Sequence, residues 1–297
     1  MKAASFAYHR PDTVADAVAL LGEYGDDAKI LAGGQSLVPM LAMRLTHFPN
    51  LVDISRVAEL RNIERRDDQV WIGAGTPHAL VGMDDEVAES VPLLTLSTPH
   101  IGHFQIRTRG TLGGAIAHAD PAAEYAAVAL ALDATIEAAS PRGRRTIPAA
   151  EFFTGLWETS LAADEILTAV SFPVWSGRCG YSVQEFARRH GDFAIAGATV
   201  AVEIDDQDTV TRCGIGLLGL GSTPERGTPA EQAVVGRAVT DITPDELGRL
   251  AMSGLEDVPA DLQGTASYRT RVGATMVARA WTEAITAALE AREAHNA

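Results

Sequence analysis

The chain has 297 residues, of which 46% are hydrophobic and 21% charged, and its formal net charge is −15. A chain of this length can bury a sizeable core and predicts two or three domains. The acidic balance argues against nucleic acid or an anionic membrane surface as a partner, although one locally positive site can still bind a small ligand. No apolar run reaches the ~18 residues of a membrane span, and the N-terminus lacks the apolar core of a signal peptide, so we expect a cytoplasmic protein.

A first helix is predicted to begin after Thr13. Thr13 is a favourable N-cap residue, and Asp16 occupies the capping-box position three residues later. Gly22 and Gly25 are predicted to end this helix, because glycine is the commonest residue at helix C-termini.

The first of two glycine-rich turns follows an apolar run at residues 30–32. Gly33 and Gly34 interrupt that run, and Ser36 then opens a segment with helical spacing over residues 37–44. A strand, a glycine turn and a helix start direct several backbone N–H groups toward one point, where a phosphate or pyrophosphate fits. The alternative interpretation is an ordinary tight turn between a strand and a helix.

Four short patterns lead from this turn to the second one. Residues 51–54 predict a buried strand, residues 61–68 a charged hairpin region, and residues 69–75 a strand that closes on glycine. A helical pattern over residues 83–96 follows, and Pro92 is expected to interrupt it.

The second glycine-rich turn lies within residues 100–124, whose glycines are Gly102, Gly110, Gly113 and Gly114. Like the first turn, it places a hydroxyl residue, Thr111, beside a glycine pair. The two turns together can grip the two ends of a pyrophosphate, and Asp120 and Glu124 then offer acceptors to ribose or adenine donors. The dinucleotide signature Gly-x-Gly-x-x-Gly is absent from both turns, so neither is of the Rossmann type.

The rest of the chain predicts strands first and helices last. A helix is predicted at 125–132, a hairpin at 134–147 with its turn at 142–145, a strand at 164–172, a linker at 173–180, three antiparallel strands at 181–187, 194–204 and 209–220, and helices at 229–235, 244–255 and 267–292.

Taken together, the two turns resemble those of a known family. Residues 32–40 and 111–124 resemble the FAD-binding medium subunit of the molybdenum hydroxylases, the carbon monoxide dehydrogenase and xanthine dehydrogenase family, and residues 188–196 and 267–269 are similar to further landmarks of it. The resemblance implies an α+β fold that begins with a two-lobed PCMH-type (vanillyl-alcohol-oxidase-like) FAD-binding domain over residues 1–177, with lobes of about 1–56 and 57–177. A second domain of the CO dehydrogenase flavoprotein C-terminal type would follow over 178–297, with a three-stranded antiparallel sheet and a helix bundle.

The resemblance also implies which residues hold noncovalent FAD. They are Lys29, Leu31, Ala32, Gly33, Gly34, Gln35, Ser36, Leu37, Ile101, Gly102, Thr111, Gly113, Gly114, Ala115, Ala117, Asp120, Glu124, Leu167 and Phe193. Residues 29–37 would wrap the pyrophosphate, and residues 101–102 would lie against the isoalloxazine region. Phe193 would place an aromatic ring over the flavin, where relatives often carry tyrosine. Relatives also carry a lysine near positions 184 and 187, and this chain has none there.

The implied activity is that of an electron-transfer subunit, an oxidoreductase chain with no catalytic residue of its own. A large subunit would carry molybdopterin, and a small subunit would carry two [2Fe-2S] clusters. The complex would be a dimer of heterotrimers. It would have no integral membrane segment and would bind no nucleic acid. Cys179 and Cys213 lack the spacing of a cluster or structural zinc site, so the clusters are expected in the partner chain. The alternatives are a free-standing FAD-dependent oxidase or reductase of the same superfamily, or a scaffold that has lost flavin.

Histidines and arginines near these turns raise other possibilities. His100, His103 and His118 could ligate a metal, but the glycine between the first two argues against a shared helical face, and we predict no metal site. His118 and Asp120 could form an acid–base pair, although a structural or ribose-binding role is favoured. Residues 142–145 are predicted as a solvated turn, with an acidic partner surface as the alternative.

Overall fold

The computed structural model describes residues 2–295, with side chains through residue 291, and its first unit, residues 2–56, is a parallel sheet with two α-helices. Its elements are β1 (Ala7–His9), α1 (Val14–Tyr24), β2 (Ala28–Leu31), α2 (Leu37–Met43) and β3 (Asn50–Asp53). The strand order is β1-β3-β2, and β3 runs parallel to both neighbours. Thr13 Oγ1 accepts the Asp16 N–H at 3.1 Å, which confirms the predicted cap. The helix ends at Gly25 alone, with φ of 51°, because Gly22 lies inside α1.

The second unit, residues 57–177, is built on a five-stranded antiparallel sheet. Its elements are β4 (Ile63–Arg66), β5 (Gln69–Gly73), α3 (His78–Val81), α4 (Asp85–Ser90), α5 (Pro92–Ser97), α6 (Phe104–Arg107), α7 (Leu112–His118), α8 (Glu124–Ala131), β6 (Thr135–Ser140), β7 (Gly143–Pro148), α9 (Ala149–Phe152), β8 (Phe153–Gly155), β9 (Glu158–Thr159) and β10 (Ile166–Pro173). The sheet order is β4-β5-β10-β6-β7, and β8 and β9 form a separate ribbon. Pro92 begins α5, which confirms the predicted interruption.

The turn predicted at residues 142–145 is wrong in its bounds, because the turn in the structure is shorter. Ser140 pairs with Gly143, so that only residues 141–142 turn and the two following arginines belong to β7. All three arginines of this segment have carboxylate partners within the chain: Arg142 pairs with Asp164, Arg144 with Glu137 and Arg145 with Glu165. The contacts of Arg142 and Arg145 reach residues about 20 positions away, which a local pattern of basic residues does not reveal.

The third unit, residues 178–295, is an antiparallel sheet covered by a long helix. Its elements are β11 (Arg178–Phe186), β12 (Ala196–Ile204), β13 (Val210–Leu218), β14 (Glu225–Arg226), α10 (Thr228–Val234), α11 (Pro244–Ala251) and α12 (Ala266–His295). The order β11-β12-β13-β14 confirms the three predicted strands and adds a two-residue fourth. Because β11 begins at residue 178, the segment between the sheets is shorter than the predicted linker. Across the described chain, no helix has both the length and the apolar character needed to cross a bilayer.

Strand β11 contacts two different parts of the molecule with its two faces. On one face, Ser182 Oγ and Gln184 Nε2 both donate to Glu283 of α12, at 2.7 and 2.8 Å. On the other face, Val183 is buried in the core of the second unit, and Tyr181 packs against that same core. Since successive strand residues point to opposite faces, Glu185 belongs to the face that meets the second unit.

Strand β13 lies directly against helix α8 of the second unit. A Cβ atom added to Gly214 would lie 1.9 Å from the Ala131 carbonyl oxygen, and one added to Gly216 would lie 2.1 Å from that of Ala127. Only glycine permits this approach of helix backbone to sheet backbone. The contact fixes the first residue of α8, Glu124, at the boundary between the second and third units.

Candidate functional site

The two glycine-rich turns meet in space. A Cβ atom on Gly33 would lie 2.2 Å from the Arg109 carbonyl oxygen and 2.6 Å from the Gly110 Cα, and the position of a Cβ on Gly114 is 3.5 Å from the Ala32 Cβ. The first turn thus packs backbone to backbone against the start of the second. This juxtaposition is the one that the sequence predicted for two loops acting together.

The two turns differ in how their backbone N–H groups are used. In the second turn, the Gly113 N–H donates to the Ala74 carbonyl at 2.9 Å, and the Gly114 N–H donates to Thr111 Oγ1 at 3.0 Å. In the first turn, none of the N–H groups of residues 33–37 donates to an acceptor in the described part of the chain. Unpaired N–H groups that converge before a helix form an anion site. The first turn therefore supplies the N–H donors of the anion site, and the second turn packs against its backbone.

Beyond the second turn, Asp120 organises a group of polar and aromatic side chains. Its carboxylate accepts the Ala122 N–H at 2.9 Å and the Trp157 Nε1–H at 3.2 Å. The Trp157 ring lies nearly parallel to that of His118, with 7° between the planes and 6.2 Å between centroids. Burial lowers the pKa of His118, an effect that the Lys29 charge reinforces and the Asp120 charge opposes. Sequence reasoning missed Trp157, because the β8–β9 turn that carries it lies 37 residues beyond Asp120.

A second acidic group lies at the boundary between the second and third units. Burial, together with the charges of Glu185 and Asp120, raises the pKa of Glu124 to about 8. The Glu185 carboxylate reaches across from β11 to within 3.4 Å of His100 Nδ1. Glu124 is therefore protonated at neutral pH, where its carboxyl group can both donate and accept a hydrogen bond.

Changing Glu124 to Gln is expected to remove a pH dependence of stability. Its carboxyl titrates near pH 8 in the folded chain against a usual value of 4.5, so the folded state binds more protons between these values, and stability falls as pH rises through this window. At pH 8.5 the FAD-free variant should exceed the parent by roughly 2–4 kcal/mol in free energy of unfolding. Urea unfolding at pH 5 and 8.5 measures the difference, which should nearly vanish at pH 5. A gap that is equal at both values would contradict this assignment.

The segment predicted to lie against the isoalloxazine region contacts a loop of the third unit. A Cβ atom added to Gly191 would lie 3.2 Å from the Gly102 carbonyl carbon and 2.7 Å from His103 Cε1. Arg107 Nη1 donates to the carbonyl oxygens of Ile101 and Gly102, at 3.0 Å each, and so fixes that segment. The loop also carries Phe193, whose side chain is exposed.

The remaining predicted residues fall into two groups. Those that are half-buried are Leu31, Ala32, Gly33, Gly34, Gln35, Ser36, Leu37, Ile101, Gly102, Gly114, Ala115, Ala117, Asp120 and Glu124. Thr111 and Gly113 are buried at the start of α7. Leu167 is also buried, in the core of the second unit beside a register shift of β10. Within this set, the first turn packs against the second, and Gly102 lies against the Gly191 loop.

The three histidines considered as metal ligands, His100, His103 and His118, each lie near another side chain. His100 faces Glu185, His103 lies 6.2 Å from the ring of His190, and His118 stacks on Trp157. Among the described residues, no group of three or more histidine, cysteine, aspartate or glutamate side chains is arranged to hold a metal ion.

Comparison with known proteins identifies the family. Residues 4–175 match the family described as "FAD binding domain in molybdopterin dehydrogenase", and residues 181–284 match "CO dehydrogenase flavoprotein C-terminal domain". Subunit alpha of the 6-hydroxypseudooxynicotine dehydrogenase complex of Paenarthrobacter nicotinovorans is 41% identical and is aligned over 99% of both chains. The nicotine 6-hydroxylase medium subunit of that organism is 37% identical over 96% of this chain and 99% of its own length. Carbon monoxide dehydrogenase of Hydrogenophaga pseudoflava superposes with a TM-score of 0.93 at 36% identity, covering 97% of this chain and 99% of that one.

The fold and the paired turns define an FAD-binding oxidoreductase subunit. The chain belongs to the FAD-binding medium subunits of the molybdenum hydroxylase family, and FAD is its cofactor. The predicted resemblance and the α+β fold class, an FAD-binding part followed by a C-terminal part of the CO dehydrogenase type, are confirmed.

Proposed function

We propose that this chain holds FAD along the surface that runs from the first glycine turn to the Gly191 loop, and that it passes electrons from iron–sulfur clusters of a partner subunit to an external acceptor. The observation that carries the proposal is the row of unpaired N–H groups at residues 33–37, backed by the second glycine turn. A pyrophosphate needs such donors, and no acceptor in the described chain competes for them. The residues present therefore fit the cofactor.

We assign the parts of the cofactor to this surface by their chemistry. Residues 33–37 hold the pyrophosphate through backbone donors, and Lys29 adds a positive charge from β2, the strand before this turn. Asp120 accepts hydrogen bonds from ribose or adenine, and protonated Glu124 donates or accepts there. Ile101 and Gly102, fixed by Arg107, lie against the flavin ring. Leu167 supports this surface from the core.

The bound flavin supplies one- and two-electron redox chemistry, and the protein sets its position, surroundings and exposure. None of the proposed contacts requires a catalytic acid or base. Phe193 is an exposed aromatic side chain of the loop that meets Gly102, and we propose that its ring lies over the flavin. This arrangement keeps the redox step with the cofactor and leaves the protein to hold it between donor and acceptor.

We propose that the partners are a large molybdopterin subunit and a small subunit with two [2Fe-2S] clusters, in a cytoplasmic dimer of heterotrimers. Two relatives that match this chain from end to end are named as subunits of larger enzymes. Cys179 and Cys213 are separate free thiols, which fits clusters held elsewhere and a reducing compartment. We also propose that residue 177 divides the FAD-binding domain, with lobes at about 1–56 and 57–177, from a domain of residues 178–297.

Purification of the chain from its native host tests this function. We expect two further chains to copurify, together with molybdenum and iron, and an absorbance spectrum that combines flavin and iron–sulfur bands. Substrate added without oxygen should bleach the flavin band in the complex and leave it unchanged in the isolated FAD-loaded chain. An isolated chain that oxidises a substrate by itself would contradict the proposal and establish the free-standing flavoenzyme.

A further inference from the structure

One buried carboxylate oxygen near the proposed cofactor site has no hydrogen-bond donor within the described part of the chain. The side chain of Glu185 is 6% exposed, and its Oε2 atom has no hydrogen-bond donor among the described residues. The His100 Nδ1 atom lies 3.4 Å away without hydrogen-bond geometry. A buried carboxylate oxygen without a donor is costly, so its retention calls for a donor from outside the chain.

The fold directs Glu185 toward the proposed flavin end of the surface. Glu185 pairs with Gly197 in the ladder between β11 and β12, and it shares its strand face with Val183, which is buried against the second unit. His100, which Glu185 faces, immediately precedes Ile101, the first residue of the segment that Arg107 fixes. The carboxylate therefore approaches the segment at Ile101 and Gly102 from the third unit.

Other carboxyl groups lie close to Glu185. Glu124 lies close enough for the Glu185 charge to raise its pKa, and Asp120 acts on Glu124 in the same direction. On the facing element, the side chain of His100 lies closest in this contact, and it is partly exposed. A neutral hydrogen-bond donor between these groups would relieve the unmet acceptor without adding a further negative charge.

We propose that Glu185 is a cofactor-contacting residue, whose buried carboxylate oxygen accepts a hydrogen bond from an N–H or O–H donor on the flavin half of FAD and so fixes the ring against the second unit. This inference rests on the proposed FAD site and adds to it a contact from the third unit. The isoalloxazine imide N–H and the ribityl hydroxyl groups are the donors of that half.

Binding of two ligands to the FAD-free full chain tests the proposal. Titration calorimetry with FAD and with ADP separates the flavin half from the nucleotide half. Glu185→Ala should weaken FAD binding by about 10- to 100-fold, the range for one hydrogen bond to a charged, buried acceptor. ADP affinity should not change. Glu185→Gln, which keeps one acceptor oxygen, should lose less FAD affinity than Glu185→Ala.

The reduction potential gives a second readout in the FAD-loaded chain. Removing a negative charge beside the ring favours electron gain, so Glu185→Gln should raise the flavin midpoint potential. Ser182→Ala is the matched control, since it removes a hydrogen bond from the opposite face of the same strand and should change neither affinity nor potential. FAD affinity and potential that are unchanged in Glu185→Ala would overturn the proposal, as would an equal loss of ADP affinity. A parent chain that binds neither ligand would instead refute the proposed FAD site.

Discussion

Replacing Gly33 with alanine is expected to weaken FAD binding by on the order of 100-fold, because the two glycine turns can no longer touch. The added Cβ would lie 2.2 Å from the Arg109 carbonyl oxygen and 2.6 Å from the Gly110 Cα, well inside the ~3.5 Å of ordinary contact. Both obstacles are backbone atoms, so no side-chain rotation relieves the clash. Equilibrium titration of the FAD-free chain with FAD, followed by flavin fluorescence, measures the loss.

The matched control for this substitution is Gly22→Ala. Gly22 lies within α1, and a Cβ there would meet only the Pro141 Cγ, at an ordinary 3.4 Å. Alanine favours a helix interior over glycine by about 1 kcal/mol, so this variant should bind FAD like the parent and unfold at a slightly higher temperature. Unchanged FAD affinity in Gly33→Ala would show that the contact between the turns does not matter for the cofactor.

Replacing Arg269 with methionine is expected to destabilise the third unit by about 3 kcal/mol. The Arg269 side chain is 5% exposed and forms a bidentate ion pair with Asp261, at 2.8 and 2.9 Å. It also donates to the Ile195 carbonyl at 2.6 Å and to the Gly219 carbonyl at 3.3 Å. Methionine fills similar volume but leaves both carbonyl oxygens buried without this donor. Hydrogen exchange of β12 and β13, measured by mass spectrometry, should become faster.

The destabilisation caused by Arg269→Met should extend to the proposed cofactor site. Ile195 closely follows Phe193 in the loop that meets Gly102, and Gly219 donates its N–H to the Pro121 carbonyl at 2.9 Å, next to Asp120. Arg279→Met is the control, because Arg279 is exposed on the same helix and its loss should leave exchange unchanged. Equal exchange in the two variants would exclude a structural role for the buried guanidinium.

Local sequence patterns were sufficient for the elements that frame the site. Thr13 with Asp16 starts α1, and the glycine pair before Ser36 gives the turn whose N–H groups have no acceptor among the described residues. These features depend on residues a few positions apart, where capping and turn chemistry act directly. The resemblance of the two turns to one family then gave their association, because neither turn alone specifies what it packs against.

What the sequence did not reveal depends on pairs brought together by the sheets. Arg142 meets Asp164 across 22 positions, and the Trp157 indole meets Asp120 across 37. Glu185 reaches His100 only because strand register and side-chain alternation turn it toward the second unit. Such contacts follow from topology rather than composition. The basic run at residues 142–145 therefore predicts a solvated turn as long as the positions of its carboxylate partners are unknown.

Strand β11 belongs to two cores at once, and this limits how relatives can be recombined. Consider a chimera that joins the first 177 residues to the third unit of another medium subunit. The contact between strand β11 and helix α12, which Ser182 makes here, is kept only if both elements come from the same donor. The chimera would then present foreign side chains at the positions of Val183 and Glu185 to the host's flavin-binding part. A functional exchange therefore needs a β11 strand that combines both parents. Residues that face the second unit should come from the host, and residues that face α12 should come from the donor.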